Sequence, residues 1–460
     1  MNTEKANRSV YLIDIKLDNE KSILIHGYTG AIDIVSNELA DYLKNNPCIS
    51  THDFPFSNNT LNSLLNRGYL TTKTKEEEYS VTSKIANLLH DAHKRMYKSF
   101  AFIITYNCNF RCPYCFENSI SGNGNAWSKK VFTPEMADKA YEAMLKIETR
   151  RELHNKQILL YGGEPLLKEN KDIVSYIVQK GHKLGYQFRA ITNGYDLDEY
   201  IDLLSPELIN TIQITLDGYK KYHNSRRKHI SDINTFDKII KNIGLALSQH
   251  VNVTVRINTE ENNFEDLAKL CNLFNSLGYK GNPYFHFYSS MLRHYNTTKE
   301  ENEFKYLEWN QFIKKHYTED KEEITCQDHG WYKRLYNCLK HHKSFQLLST
   351  TCYAQYGNYM FDPQGCIFTC LETIGKKEHI IGFYDKQTIE WTKAKQFWQG
   401  RTIATTPRCK FCKYALLCGG GCLNKAPYTN SGFGISACTG FPFILEKSAR
   451  KAFFAFSQHM

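Results

Sequence analysis

The stretch that decides the fold is the run Phe100–Thr105 and the cysteine-rich segment that follows it, Tyr106-Asn107-Cys108-Asn109-Phe110-Arg111-Cys112-Pro113-Tyr114-Cys115-Phe116-Glu117. The apolar run predicts a buried strand. The three cysteines come directly after it, separated by three and then two residues. Three thiolates on one short loop suit three corners of a [4Fe–4S] cluster and leave its fourth iron open to a small molecule. A zinc ion with a fourth ligand from elsewhere is the alternative on spacing alone.

Beyond this segment, strand-like runs alternate with helical stretches. The runs are Phe100–Thr105, Gln157–Tyr161, Phe188–Thr192, Thr211–Leu216, Val251–Ile257 and Tyr284–Tyr288. The helical stretches are Pro134–Ile147, Asp172–Leu184, Asp198–Leu204, Phe236–Gln249 and Phe264–Leu277. This alternation predicts parallel βα units with right-handed crossovers. The predicted fold class is α/β, with a partial (βα)6 TIM-like barrel over residues 99–315 and its chemistry at the carboxyl ends of the strands.

Polar motifs follow the later strands of this barrel. They are Gly162-Gly163-Glu164-Pro165, then Thr192-Asn193-Gly194, then Thr215-Leu216-Asp217-Gly218 with Arg226-Arg227 behind it, and finally Arg256. Glycines let a backbone approach a ligand closely, and a glutamate is a charge-assisted acceptor for an ammonium group. A guanidinium pairs with a carboxylate through two parallel hydrogen bonds.

The composition narrows the class of protein. The chain has 460 residues, 15 cysteines and a formal net charge of +10. No apolar run reaches the roughly 18–20 residues that span a bilayer, and no secretory signal is visible, so we expect a cytoplasmic protein without a membrane partner. We find no nucleic-acid-binding motif. In a reducing compartment clustered cysteines indicate metal ligands, whereas the isolated Cys48 and Cys271 are interpreted as core thiols.

The cysteine segment and the strand-end motifs together resemble the radical S-adenosylmethionine (SAM) superfamily. The resemblance implies that Cys108, Cys112 and Cys115 hold a [4Fe–4S] cluster that reduces SAM to a 5′-deoxyadenosyl radical, which abstracts a substrate hydrogen. The residues that it implies for SAM binding are Tyr114, Gly162, Gly163, Glu164, Pro165, Thr192, Asn193, Arg227 and Arg256. Arg227 is favoured over Arg226 for the SAM carboxylate, and Asp217 is a candidate catalytic or substrate-contacting residue. The general base is not assigned.

A second cysteine field occupies the last third of the chain: Cys352, Cys366, Cys370, Cys409, Cys412, Cys418, Cys422 and Cys438. It resembles the SPASM domain, which implies two auxiliary [4Fe–4S] clusters, hence three in all. By the resemblance, Cys409, Cys412, Cys418 and Cys438 hold one cluster, and Cys352, Cys370 and Cys422 hold the other. Gln346 stands where fully ligated members have a further cysteine, so the fourth ligand is Cys326, Cys338, Cys366 or none. Zinc ribbons are the less favoured interpretation, and we expect residues 316–460 to lack one large core.

Residues 1–98 are predicted to form a small α+β domain. A hairpin, Val10–Leu17 with Lys21–Gly27, precedes helices over Ile34–Asn45 and Leu61–Arg67, the second ended by Gly68. A third strand over Tyr69–Thr72 and a helix over Ser83–Tyr97 complete it. This order resembles the winged-helix recognition element of enzymes that modify ribosomally synthesised peptides (RiPPs). The resemblance implies capture of a leader peptide as an added strand; a plain N-terminal extension is the alternative.

These resemblances together identify the chain as a radical SAM/SPASM peptide maturase of three domains, 1–98, 99–315 and 316–460. Its expected reaction is hydrogen abstraction from a precursor-peptide residue and formation of a crosslink by a carbon–carbon, ether or thioether bond. The expected partners are the precursor peptide and an electron donor such as flavodoxin or ferredoxin. An anaerobic sulfatase-maturating enzyme that makes formylglycine is one alternative, and a non-catalytic iron–sulfur redox protein is another. The modified residue and the oligomeric state are not determined.

Overall fold

The structure is a computed structural model, and it describes residues 5–117, 127–232, 234–292, 330–425 and 441–458. Its strands are β1 Lys5–Arg8, β2 Leu12–Lys16, β3 Lys21–His26, β4 Ile32–Ser36, β5 Cys48–Ser50, β6 Leu70–Thr71, β7 Ser99–Ile103, β8 Gln157–Tyr161, β9 Gln187–Thr192, β10 Ile209–Leu216, β11 Asn252–Thr259, β12 Phe285–Met291, β13 Asn358–Phe361, β14 Cys366–Phe368, β15 Gly382–Phe383 and β16 Glu390–Trp391. Its α-helices are α1 Asn37–Asn45, α2 Asn58–Arg67, α3 Lys75–Lys94, α4 Pro134–Ile147, α5 Lys171–Lys183, α6 Lys220–Arg226, α7 Thr235–Ser248, α8 Asp266–Ser276, α9 Trp331–His341, α10 Lys393–Gly400, α11 Ala415–Cys418 and α12 Phe441–Ser457.

The chain divides into two compact units. The first comprises Met1–Met96, Asp328–Tyr356 and Phe397–Met460, and the second comprises Tyr97–Gln327 and Gly357–Gln396. The second is called the barrel unit below, and the first is called the terminal unit. The division into 1–98, 99–315 and 316–460 stays a prediction, and the compact units cut across its last segment.

The barrel unit contains the predicted parallel sheet. Strands β7 to β12 lie side by side in chain order, each parallel to the next. The central residues of β7 and β8 are buried on both faces, which is typical of a parallel sheet covered by crossover helices, whereas in β9 to β11 buried residues mostly alternate with partly buried or exposed ones. The α/β fold and all six predicted strands are confirmed. The helix predicted over Asp198–Leu204 is a 3-10 helix, Leu197–Leu203.

The sheet continues past β7 in a way that the sequence did not indicate. Strand β13 pairs in parallel with β7, with Asn358 opposite Ser99. It forms a hairpin with β14, to which β15 and then β16 add antiparallel, so the sheet has ten strands among the described residues. The first barrel strand is thus covered by a segment from the cysteine-rich part of the chain.

The terminal unit begins with two three-stranded antiparallel sheets, β2-β3-β4 and β5-β1-β6. The predicted hairpin is confirmed as β2 and β3. The helix predicted from Ile34 begins later because Ile32–Ser36 forms β4, and the Ser36 side chain accepts from the Leu39 N–H to start α1. Gly68 ends α2 with a φ of 87°, as predicted. The winged-helix assignment itself stays a prediction.

The last part of the chain shares a core with the first. Ile23 and Ile25 of β3 belong to one buried apolar cluster with Leu335 of α9 and Leu445 of α12. Residues 316–460 were expected to lack one large core; in the described part α9 and α12 instead share a core with strands from the opposite end of the sequence.

Candidate functional site at the strand ends

The predicted site residues lie on the loops that follow five neighbouring strands of the barrel unit. The cysteine loop follows β7, the glycine turn follows β8, Asn193 follows β9 and Asp217 follows β10. Asn258, which was not among the predicted site residues, is the second-last residue of β11. Because these strands are parallel, their carboxyl ends meet at one edge of the sheet.

The three cysteines of the first loop gather their thiols in one place. Cys112 is buried, and Cys108 and Cys115 are partly buried. Burial raises the pKa of all three thiols, that of Cys115 to about 12, and the charges of Cys112 and Cys115 both act on Cys108. The Phe110 N–H donates to Cys108 Sγ at 3.3 Å, and hydrogen bonds to sulfur tune an iron–sulfur cluster. Three soft donors on one loop are the donor set of a [4Fe–4S] cluster, but within the described residues they do not have the arrangement of a bound metal site, and ligation itself stays a prediction.

The turn after β8 is held tightly against this loop. Gly162 has a φ of 140°, and a Cβ there would lie 2.2 Å from Thr105 O. A Cβ on Gly163 would lie 2.4 Å from Asn107 O, and the Gly163 N–H donates to Thr105 O at 3.0 Å. Neither position has room for a side chain, so the two glycines bring the turn with Glu164 and Pro165 against the cysteine loop.

Glu164 is the centre of a buried hydrogen-bond cluster that includes two other predicted residues. Its carboxylate accepts from Thr192 Oγ1 at 2.7 Å, from the Asn193 N–H at 2.6 Å and from the Leu166 N–H at 2.9 Å. Burial raises the pKa of Glu164 to about 7, against the lowering effect of these donors. A carboxylate offers about four acceptor sites, so one remains for a further donor.

A second cluster surrounds Asp217, which is 1% exposed. Tyr114 Oη donates to Asp217 Oδ1 at 2.8 Å, and Asn258 Nδ2 donates to the same oxygen at 3.0 Å. Arg227 Nη1 donates to Tyr114 Oη at 2.9 Å. Burial raises the pKa of Asp217, while Arg227, Tyr114 and Arg226 oppose the rise. We call Tyr114, Asp217, Arg227 and Asn258 the strand-end network.

The structure distinguishes the two adjacent arginines. Arg226 Nη1 lies 2.5 Å from Glu260 Oε1, and Arg226 Nε lies 3.5 Å from Asp217 Oδ2. Arg227 is buried beneath the Phe110 ring, with 5.5 Å from its guanidinium carbon to the ring centroid, and it forms no ion pair among the described residues. Arg227 therefore has more capacity left for a ligand carboxylate, in line with the predicted preference.

Several buried polar atoms at this edge have no hydrogen-bond partner within the described parts of the chain: Asp217 Oδ2, Arg227 Nε, Arg256 Nε and Asn258 Oδ1. Buried polar atoms are rarely left unsatisfied. Both acceptors and cationic donors are represented, so the edge fits a polar ligand such as SAM, with its amine and its carboxylate.

The second cysteine field is distributed over both compact units. Cys352, Cys409, Cys412, Cys418 and Cys422 belong to the terminal unit, and Cys366 and Cys370 belong to the barrel unit. Burial, with a further contribution from Cys422, raises the pKa of Cys352. Cys326 and Cys438 lie outside the described residues. Within the described ranges no group of three or more His, Cys, Asp or Glu has the arrangement of a metal site, and both auxiliary ligand sets stay predictions.

The cysteines considered as fourth ligand of the cluster assigned to Cys352, Cys370 and Cys422 have different surroundings. Cys338 is half-buried on α9, with Sγ 3.8 Å from Ser344 O. Cys366 begins β14, where burial raises its pKa to about 12. Gln346 accepts a hydrogen bond from Arg334 through its backbone oxygen. None of these contacts selects one ligand.

Three residues of the strand-end site had no assigned role in the sequence analysis. Asn109 accepts from Asn193 Nδ2 at 2.7 Å and donates to Asp196 at 3.0 Å. Asn258 and Glu260 hold Asp217 and Arg226. Asn109 lies between two cysteines of the loop, and Asn258 and Glu260 lie at the end of β11. These positions were the sequence features that could have suggested a role in the site.

A comparison with models of protein families finds a match for part of this chain. Residues 102–274 match the model of the radical SAM superfamily. This range extends from β7 to α8 and contains every residue predicted to bind SAM. The chain thus contains a radical SAM domain.

The chain is also similar to individual proteins and to solved structures. The chain is 23% identical over 328 residues to the cysteine-type anaerobic sulfatase-maturating enzyme of Clostridium perfringens (strain 13 / Type A), covering 68% of this chain and 85% of the relative. It is 24% identical over 212 residues to the radical SAM cyclopropyl synthase TigE of Paramaledivibacter caminithermalis, covering 42% and 45%. The solved structure of native anSMEcpe with bound AdoMet matches with a TM-score of 0.53 at 20% identity, covering 78% of this chain and 97% of that one. This likeness establishes a shared fold.

Proposed function

We propose that this protein is a radical SAM enzyme whose cluster is held by Cys108, Cys112 and Cys115. The observation that carries the proposal is the convergence at one sheet edge of three thiols, a buried glutamate with one acceptor site to spare and buried polar atoms without partners. When bound, the cluster supplies one electron to SAM and so provides the 5′-deoxyadenosyl radical.

The chain's own residues bind and orient SAM. Glu164 accepts from the SAM ammonium group, and Thr192 and Asn193 hold Glu164 in place. Arg227 pairs with the SAM carboxylate. Gly162 and Gly163 keep the turn close to the cysteine loop.

The other members of the site complete the pocket. Tyr114 packs on the adenine while its hydroxyl group fixes Asp217. Arg256 contributes a cationic donor from β11, and Pro165 shapes the turn. Asp217, held by three neighbours, faces the peptide.

The proposed substrate is a ribosomally made precursor peptide, in which hydrogen abstraction leads to a crosslink. Residues 1–98 support a peptide-binding role, because they include short antiparallel strands of the kind that accept an added strand. In this proposal cysteines of the second field would hold two auxiliary clusters, which would supply an acceptor for the electron released when the new bond forms. Flavodoxin or ferredoxin supplies electrons in the cytoplasm. No helix within the described ranges has the length and apolar character to cross a membrane.

Formylglycine formation in a sulfatase is the second candidate. The match to 85% of an anaerobic sulfatase-maturating enzyme favours it. A structure of anSMEcpe with AdoMet and the Cp18Cys peptide, with a TM-score of 0.52 at 16% identity, shares the fold. The third candidate, a non-catalytic iron–sulfur protein, leaves the amine- and carboxylate-binding groups without a purpose.

Two measurements separate these candidates. Anaerobically reconstituted protein is incubated with SAM and dithionite, with Cys112→Ala as the test variant and Cys271→Ala as a matched control from α8. We expect 5′-deoxyadenosine from the wild type and the control and none from Cys112→Ala. Its absence from the wild type would leave the non-catalytic candidate.

The second measurement identifies the substrate. The protein is co-expressed either with the peptide encoded beside its gene or with a sulfatase peptide that carries the target cysteine, and each peptide is weighed by mass spectrometry. Loss of two hydrogens from the neighbouring peptide supports the crosslink. Conversion of cysteine to formylglycine supports the sulfatase candidate instead.

A further inference from the structure

The parallel strands of the barrel unit have two different faces. Phe188 of β9 packs against Gly181 of α5, and Phe285 of β12 packs on Phe274 of α8, so one face is covered by crossover helices. Side chains alternate along a strand, and the residues between these point to the opposite face, which we call the inner face. By register, the inner face includes Arg189, Ile191, Thr211, Gln213, Thr215, Thr254, Arg256 and Tyr288.

The inner face is polar, in contrast to the interior of a packed barrel. Barrel interiors are filled mostly by Val, Ile and Leu. Here one aliphatic residue, Ile191, accompanies polar ones, and the inner-face residues are partly or fully exposed while their neighbours along β10 and β11 are buried. Tyr288 Oη donates to Gln213 Oε1 at 3.3 Å, which joins β12 to β10 across β11 on this face. The inner face therefore suits a polar ligand.

The inner face is also positively charged. Strands β7 to β12 contain two arginines, Arg189 and Arg256, and no Asp or Glu. Neither arginine forms an ion pair or a side-chain hydrogen bond within the described residues, and Arg256 Nε is buried. Asp217, which follows β10, is held instead by Tyr114 and Arg226. A cation that leaves water is costly unless an anion balances it.

Arg256 lies beneath the strand-end network. It is in register with Thr215 on one side and with Tyr288 on the other. Asn258 follows it by two residues on the same face, which is about 6.6 Å along a strand. SAM carries one carboxylate, and the proposed function pairs that carboxylate with Arg227. Arg256 is therefore placed to bind the second ligand of the site, which in the proposed function is the peptide.

We propose that Arg256 binds a carboxylate of the peptide substrate, and that Arg189 adds a second positive charge on the same face. A guanidinium pairs with a carboxylate through two parallel hydrogen bonds, so Arg256 selects a peptide that places a carboxylate near the modified residue. An Asp or Glu side chain and the C-terminus of the peptide both carry this group. The inference rests on the proposed function and names the chemistry of its substrate.

The test measures peptide binding without turnover. Anaerobically reconstituted full-length protein is saturated with SAM, the reductant is omitted, and the affinity of a fluorescently labelled peptide is measured by anisotropy. The two peptides of the co-expression experiment are each used. In each peptide every Asp or Glu is changed in turn to Asn or Gln, and a further version has an amidated C-terminus. These versions distinguish a side-chain carboxylate from the terminal one.

We expect one of these peptide changes to weaken binding to the wild type at least about tenfold, because it removes a charge-assisted pair. Arg256→Gln should weaken binding of the unchanged peptide by a similar factor and should abolish the effect of that peptide change, since two groups in contact are not additive in a double-mutant cycle. SAM affinity should stay unchanged. Arg256→Lys keeps the charge and should bind the peptide with intermediate affinity.

The matched control is Arg150→Gln, because Arg150 lies outside the sheet and pairs with Glu148 at 3.0 Å. It should bind both ligands as the wild type does. Where Arg256→Gln does not assemble its cluster, the same cycle is made with Arg256→Lys. Additive losses in the cycle, a wild type that responds to no peptide change, or weaker SAM binding in the Arg256 variant overturn the inference.

The result for the wild type distinguishes the two levels of proposal. If neither peptide binds, the peptide substrate of the proposed function is contradicted, and the inference falls with it. If a peptide binds and is modified, but its affinity does not depend on Arg256, only the inference is contradicted.

Discussion

Two buried polar networks, one in each compact unit, are each built around a carboxylate that accepts from a tyrosine, and they differ in whether every polar atom has a hydrogen-bond partner. In the terminal unit, Ser9 Oγ donates to Glu78 Oε1 at 2.5 Å, and the Val10 N–H and Tyr28 Oη donate to the same carboxylate at 2.9 and 3.1 Å. His26 Nε2 lies 2.9 Å from Ser9 Oγ. We call Ser9, His26, Tyr28 and Glu78 the N-terminal network.

The strand-end network is also largely buried, but its hydrogen bonding is incomplete. Every side-chain nitrogen and oxygen of the N-terminal network has a hydrogen-bond partner, whereas Asp217 Oδ2, Arg227 Nε and Asn258 Oδ1 have no hydrogen-bond partner within the described residues. Burial alone therefore does not identify a functional site. Unsatisfied atoms alone do not identify one either, since Ser83 Oγ and Gln355 Oε1 in the terminal unit also have no hydrogen-bond partner within the described residues. The strand-end network differs because its unsatisfied atoms lie together at the carboxyl edge of a parallel sheet, where a ligand can complete them.

The strongest test of this comparison removes one arginine from each unit. We expect Arg227→Met to weaken SAM binding by about 10- to 100-fold, since a hydrogen bond to a charged group contributes about 1.5–3 kcal/mol. Arg67→Met should leave SAM affinity unchanged. Anaerobic isothermal titration calorimetry with reconstituted protein measures both. Equal weakening by Arg67→Met would indicate that the effect is a general loss of structure.

The second test makes the same carboxylate-to-amide change in each network. Glu78→Gln gives the Val10 N–H and the Ser9 hydroxyl an amide in place of the carboxylate, so we expect the free energy of unfolding to fall by about 2–4 kcal/mol. Asp217→Asn should cost about 1 kcal/mol or less, because its network is already incomplete. It should instead lower product formation at least about tenfold. Urea unfolding and peptide mass spectrometry measure the two effects, and the reverse pattern would contradict the comparison.

The third test concerns the pH dependence of stability in the N-terminal network. Burial lowers the pKa of His26 to about 4, and the Thr29 N–H donates to its Nδ1, as expected of a neutral ring. Between about pH 6.5 and 4 the unfolded chain binds the extra proton, so the free energy of unfolding falls as the pH falls, by about 2–3 kcal/mol over the range.

The control for this prediction is His26→Gln, which does not titrate. Unfolding free energies measured from pH 7 to pH 4.5 should show a smaller slope in the variant. Parallel slopes in the two proteins would show that other groups determine the acid sensitivity.

Much of the barrel was predictable because its pattern is local. Strand and helix periodicities fixed β7 to β12 and their order, since consecutive βα units pack in one handedness. The thiols, Glu164, Thr192 and Asn193 followed from their positions at strand ends. The structure brings these residues together as predicted.

Other features depended on residues far apart in the chain. The preference for Arg227 over Arg226 stays a prediction, but the ion pair between Arg226 and Glu260 that bears on it could not be read from the sequence. The helix predicted from Ile34 began too early because β4 pairs with β3, and that tertiary contact overrode helical spacing.

The sequence by itself predicted which donor residues stand on which loops, and that those loops share one edge of a parallel sheet. Only the tertiary structure decided which polar groups are left without hydrogen-bond partners, that β13 pairs with β7, and that the first strands share a core with the last described helix. The physical reason is the separation along the sequence over which each effect acts. Periodicity and spacing act between near neighbours, whereas burial and charge balance are set by contacts between residues hundreds of positions apart.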